Sequence, residues 1–137
     1  MAEKLRDIWE HLVSHQLTRD LDGWVESFAV DGVLEWPFRL EGVPPRLEGR
    51  QAIRAALGPV WERAKTSNRR ITGHDLVAFH ETTDSEVAIA EFDIVGENAR
   101  GSFRQAAVYL LRAREGRVVL LREFMDTAAL SKLFQAT

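Results

Sequence analysis

From about residue 69 the chain changes its period. Four strand-like segments, near 69–80, 86–96, 102–114 and 117–126, are separated by Thr82-Thr83-Asp84, Gly96-Glu97-Asn98-Ala99-Arg100-Gly101 and Glu115-Gly116. Breaks of that kind suit hairpins, so the second half of the chain reads as a meander. The first half is mostly helical. Leu5, Ile8, Trp9, Leu12, Val13 and Leu17 recur at helical spacing over residues 3–19. Asp20 is placed to cap a second short helix carrying Leu21, Trp24, Val25 and Phe28. Asp31-Gly32 reads as a turn into a short strand, Val33 to Phe38, which Pro37 restricts to an edge or a bend, and Gly42-Val43-Pro44-Pro45 reads as a stiff loop. A third helix follows Gly49, with Ala52, Ile53, Ala56, Leu57, Val60, Trp61 and Ala64 in one stripe, and Asp126 is placed to cap a last helix over 127–134.

Helices collected ahead of an antiparallel sheet predict an α+β domain, helices on one sheet face. A curved sheet closed by three N-terminal helices makes a cone around an apolar hollow, a natural site for a small hydrophobic or aromatic ligand. At 137 residues the chain is expected to form one domain, 1–137. The net charge of -3 and scattered basic residues argue against nucleic-acid binding. There is no cysteine, which removes disulfides, thiol catalysis and zinc–thiolate sites. The charged N-terminus lacks a secretory core and no apolar run is long enough for a bilayer, so a cytoplasmic protein without membrane contact is expected. No glycine-rich phosphate loop or nucleophile elbow is present, and no cofactor is expected.

The last strand contains the most informative side chain. Alternation places Val119, Leu121, Glu123 and Met125 on one face and Val118, Leu120, Arg122, Phe124 and Asp126 on the other. A carboxylate on an apolar face is paired, protonated or used in chemistry. Glu123 is therefore read either as a general acid of raised pKa or as the partner of Arg104 or Arg112 on a neighbouring strand. Glu91 and Asp93 project from one strand face, either as an acid/base pair or as a solvated pair beside Arg104. Glu35 is expected outside and Trp36 inside. His11 and His15 have i,i+4 spacing but sit off the apolar stripe, so no metal is expected. His74 belongs to the cavity rim or to a plain edge.

This element order resembles the SnoaL-like branch of the NTF2-like superfamily. It is carried by Asp31-Gly32, the loop Pro44-Pro45-Arg46-Leu47-Glu48-Gly49-Arg50 and the ending Gly116-Arg117-Val118 to Arg122-Glu123-Phe124-Met125-Asp126. Within the branch the chain is most similar to phenazine-biosynthesis A/B proteins, which share the Arg-Glu-Phe-Met strand matching Arg122 to Met125 and the Glu-x-Asp matching Glu91-Phe92-Asp93. The resemblance implies Glu123 as proton donor, and the helix histidine of those proteins is replaced in the stretch Ala55-Ala56-Leu57. Ketosteroid isomerases of the same superfamily use an Asp, a Tyr and a protonated Asp that fall at Trp36, near Leu12 and near Val108, so their mechanism is not expected. With Val108 inward, Tyr109 is expected to face away, into a sheet-to-sheet homodimer contact. The combined expectation is a cofactor-independent isomerase, cyclase, condensing or hydrating enzyme. Glu123, Glu91 and Arg104 form its site, with Trp9, Trp24, Trp36, Leu57, Trp61, His74, Val108 and Met125 as its wall. The alternative is a non-catalytic ligand-binding or dimerisation module.

Overall fold

The computed structural model describes residues 4–135. α1 (Leu5–Leu17) forms on the predicted stripe and buries Ile8, Trp9, Leu12 and Val13. It stops where Arg19 enters the left-handed region at φ 58° and the Asp20 N–H returns to His15 O at 2.8 Å. Asp20 then caps α2 (Leu21–Glu26), its Oδ1 accepting from the Gly23 N–H at 2.9 Å. Trp24 and Val25 are the buried side of this short helix.

β1 (Phe28–Glu35) starts earlier than the sequence suggests. Phe28, expected on the second helix, opens the strand and is fully buried. Asp31-Gly32 lies inside the strand rather than ahead of it, where the register against the last strand shifts between Phe28 and Val33. A Cβ at Gly32 would stand 2.8 Å from Val118 O, so glycine permits this close approach. The segment read as loop contains β2 (Arg46–Glu48), paired antiparallel with β1. α3 (Arg50–Thr66) packs chiefly on β1, α2 and β2; Ile53 is fully buried, and Leu57 and Trp61 lie partly buried against the core.

The meander follows as β3 (Arg70–Glu81), β4 (Val87–Asn98), β5 (Gly101–Arg114) and β6 (Arg117–Met125). α4 (Thr127–Gln135) begins with the Asp126 Oδ1 accepting from the Ala129 N–H at 3.1 Å. The strands form one sheet in the order β2-β1-β6-β5-β4-β3. β1 and β6 run parallel, so the sheet is mixed, not wholly antiparallel as expected. The architecture is α+β, with three helices before the meander and a fourth after it.

α1 lies across β3, β4 and β5, and this side is the inner face. On β4, Ala88, Ala90, Phe92 and Ile94 are buried inward while Val87, Ile89, Glu91 and Asp93 point outward and stay partly exposed. The alanines let α1 approach closely, and Trp9 meets Phe92 edge-on at 5.3 Å between ring centroids. Trp24 continues the core, 5.0 Å from Phe28 and 6.0 Å from Trp61. On β6 strict alternation fails: Leu120 stands opposite Arg112 but Val118 opposite Ala113, which makes Val119 an extra residue. This bulge turns Val118 inward, where it is fully buried, and corrects its expected outward position.

Candidate active site

Glu123 lies on the inner face of β6 with 8% of its surface exposed. Neither arginine considered for it shares that face. Arg104 bonds Asp75 at 2.9 Å and Asp93 at 3.0 Å, and Arg112 bonds Asp84 and Glu86, all on the outer side. The carboxyl group is held instead by neutral donors. The Trp36 Nε1–H donates to Oε1 at 2.7 Å. The Tyr109 hydroxyl, directly opposite on the β5–β6 ladder, donates a second hydrogen bond. Burial pushes the Glu123 carboxyl above the ordinary 4.5, and the Tyr109 and Trp36 donors oppose that rise. Burial, with the Glu123 charge beside it, pushes the Tyr109 hydroxyl well above its usual value.

The polar chain runs on across the interior. Gln16 Nε2 donates to the Tyr109 oxygen at 3.3 Å, and Gln16 Oε1 stands 3.1 Å from His74 Nε2. With the Gln16 nitrogen assigned to Tyr109, its oxygen requires the Nε2–H tautomer of His74. Every hydrogen in the series His74, Gln16, Tyr109 then points toward Glu123, and Trp36 adds one from the other side. Phe92 backs the series, 4.8 Å from the Tyr109 ring and 5.9 Å from that of His74. Burial lowers the His74 pKa from 6.5 to about 4, against the pull of Asp75.

These two shifts have opposite consequences for stability. His74 is neutral in the fold while the unfolded chain takes up a proton, so its contribution is complete above 6.5 and is lost as pH falls toward about 4. Allowing for partial solvent screening, this loss is about 1–2 kcal/mol. Glu123 acts in reverse: its contribution is complete below 4.5 and is lost as pH rises through its raised value. Urea midpoints measured across pH should form a dome whose acid flank flattens in His74→Phe and whose alkaline flank flattens in Glu123→Gln. Unchanged flanks in both variants would contradict these environments.

Of the expected wall, Trp36, Leu57, Trp61 and Met125 lie partly buried around the core, His74 is on the inner face, and Trp9 and Trp24 are wholly within the core. Glu91, Arg104 and Val108 do not join Glu123. Glu91 stands opposite Val108 on the outer face and bonds His80 at 2.6 Å. Glu35 also turns outward, where burial alone would raise its pKa but the Arg122 and Arg46 guanidiniums bring it below the usual value. Tyr109 points inward, a correction of its expected position. Gln16 was not singled out at all, since a glutamine near a helix end carries no pattern of its own. A hollow of about 550 Å³ lies against Pro37 to Val43 and Thr127, next in sequence to Trp36 and the end of β6. A second, of about 460 Å³, lies by Lys4, Leu5 and the β3–β4 hairpin and holds none of the predicted residues. Among the described residues no group of three or more His, Cys, Asp or Glu is placed to hold a metal ion, and none of their helices is long and apolar enough to cross a membrane.

A curved sheet wrapped on one side by helices is the NTF2-like fold of its solved neighbours. The chain belongs to the SnoaL-like domain family, which it matches over residues 5–121. An uncharacterised PhzA/B-like protein of Pseudomonas aeruginosa is 34% identical over 110 residues, covering 78% of this chain and 73% of that one. A solved structure from Bacillus subtilis superposes with a TM-score of 0.83 at 23% identity, over 96% of this chain and 92% of the other. TerC, crystallised with polyporic acid, gives a TM-score of 0.70 at 18% identity, over 94% and 96% of the two chains.

Proposed function

We propose that this protein is a cofactor-independent acid/base enzyme acting on a small hydrophobic or aromatic metabolite by isomerisation, cyclisation, condensation or hydration. The observation that carries the reading is the buried Glu123 carboxyl group, raised in pKa and held by Trp36 and Tyr109 with no cationic partner among the described residues. A group tuned toward neutral pH gives and takes protons most effectively there. Glu123 is the proton-transferring residue, Tyr109 and Trp36 fix its orientation, and Trp61, Leu57 and Met125 supply apolar wall. The co-crystallisation of TerC with an organic acid supports a small-molecule role for the shared cone.

A second reading, a non-catalytic binding or dimerisation module, draws on the outer face. Ile89, Val108, Leu110, Leu120 and Phe124 are partly exposed there, beyond the reach of α1, and suit a homodimer contact. One experiment separates the two. Quenching of tryptophan fluorescence identifies binders among steroids, polyketides and aromatic acids, and each binder is then incubated with the protein in deuterium oxide. The enzyme reading expects deuterium incorporation at carbon or a new product; tight binding with neither supports the module.

A further inference from the structure

The polar side chains around Glu123 differ in what they can do. An indole N–H only donates, so Trp36 is a fixed donor to the Glu123 carboxyl group. A phenol, a primary amide and a neutral imidazole each donate on one side and accept on the other. Tyr109, Gln16 and His74 therefore form a series whose direction can reverse. The observed direction suits the ionised carboxyl group: His74 Nε2–H donates to Gln16 Oε1, Gln16 Nε2 donates to the Tyr109 oxygen, and the Tyr109 hydroxyl donates to Glu123.

A protonated Glu123 carries a hydrogen of its own. Of its two partners only Tyr109 has an oxygen to receive it, and the Tyr109 hydrogen then turns away from Glu123. The other partner of Tyr109 among the described residues is Gln16, 3.3 Å away. Gln16 accepts that hydrogen only after its amide turns over, which brings its nitrogen to face His74. His74 Nε2, 3.1 Å from the Gln16 amide, must then be bare, with the ring hydrogen on Nδ1. The balance closes: Glu123 gains one proton, Tyr109 and Gln16 only rotate, and His74 gives its Nε2 proton to water while taking another at Nδ1. No other charge competes at the His74 ring. β4 presents Ile94 and the Phe92 ring to it, α1 presents Gln16, and the adjacent Asp75 is bonded to Arg104 at 2.9 Å. His15, next to Gln16 on α1, bonds Asp20 at 3.3 Å.

We propose that Glu123, Tyr109, Gln16 and His74 form one reversible hydrogen-bond chain, in which the His74 tautomer sets whether Glu123 receives a hydrogen from Tyr109 or donates one to it. Tyr109 and Gln16 keep every covalent bond in both directions; only His74 has a separate chemical form for each. His74 is thus a positioning residue, acting on Glu123 through Gln16 and Tyr109. This rests on the reading of Glu123 as the site's proton-transferring group.

The test follows two signals by NMR in one sample: the ring nitrogen shifts of His74, which distinguish its tautomers, and the side-chain carboxyl carbon of Glu123. His74 stays neutral above about 4. Within that range, as pH falls through the Glu123 midpoint, the ratio of Nδ1–H to Nε2–H should rise about ten-fold or more, the worth of one misdirected buried hydrogen bond. In Glu123→Gln the amide oxygen faces Trp36 and its nitrogen donates to Tyr109, so His74 should be held in the Nδ1–H form at every pH at which it is neutral. The unbranched Gln16→Met cuts the series, and its His74 ratio should be indifferent to the Glu123 titration. A ratio that stays constant through that titration in the wild type, or still follows it in Gln16→Met, overturns the proposal. If turnover is nonetheless lost in Glu123→Gln, the enzyme reading stands and only the chain falls. A ratio that follows Glu123, in a protein whose turnover survives Glu123→Gln, keeps the chain and removes the enzyme reading.

Discussion

Glu123→Gln should reduce turnover of a substrate found by the deuterium screen by about 10²–10⁴-fold, the usual worth of a positioned general acid or base, with little change in KM. The amide keeps the shape of the carboxyl group and its oxygen still accepts from the Trp36 N–H, so the site survives while its titrating proton does not. The same variant should melt higher than wild type at pH 8, because it removes a desolvated charge. The difference should shrink as pH falls through the raised pKa of Glu123, because the carboxyl group then takes up its proton and matches the neutral amide. Steady-state kinetics and melting curves at several pH values check both halves. Wild-type turnover in the variant would end the assignment of Glu123, and a melting difference independent of pH would show that its carboxyl is solvated.

Phe92→Ala should cost about 3–5 kcal/mol of folding stability, the range for removing a buried aromatic ring. Phe92 is 1% exposed and in edge contact with both Trp9 and Tyr109, so its loss opens a cavity bordered by large, rigid rings that cannot collapse into it. Denaturant titration should show an unchanged slope and a much lower midpoint. Phe92→Leu should recover most of the stability but not the ring edge that fixes Tyr109. Its kcat should therefore fall further than its stability suggests. A loss below about 1 kcal/mol in Phe92→Ala would mean the interior repacks freely.

Most of the architecture was legible because it rests on period. The stripe Ile8, Trp9, Leu12, Val13 and the breaks Thr82-Thr83-Asp84, Gly96 to Gly101 and Glu115-Gly116 are local signals, and α1 and the meander strands form around them. β4 runs on through Asn98 and β5 starts at Gly101, inside the expected middle break. What was not legible depends on register. Counted outward from the Glu115-Gly116 turn, a regular hairpin sets Val108 opposite Glu123; the extra residue at Val119 sets Tyr109 there instead. One residue decides whether Glu123 meets a phenol or an apolar side chain, and nothing in the run of valines and leucines announces it. The same parity sends Glu91 and Arg104 to the outer face. Glu123 itself was recognisable because a carboxylate among hydrophobes is anomalous without any knowledge of its neighbours. Gln16 gave no such signal, since its significance lies wholly in what faces it.

The parallel pairing of β1 with β6 fixes the order in which the protein is completed during synthesis. Trp36 and Glu123 are 87 residues apart in sequence, and β1 has no β6 to pair with until Arg117–Met125 has left the ribosome. Contacts of such long range are slow to close and come late. Until then β1 presents one edge with its backbone amides and carbonyls unmatched, open to association with another nascent chain. The Trp36–Glu123 hydrogen bond therefore forms only after β6 has joined β1, and a chain cut short before β6 has neither a finished sheet nor its buried carboxyl group.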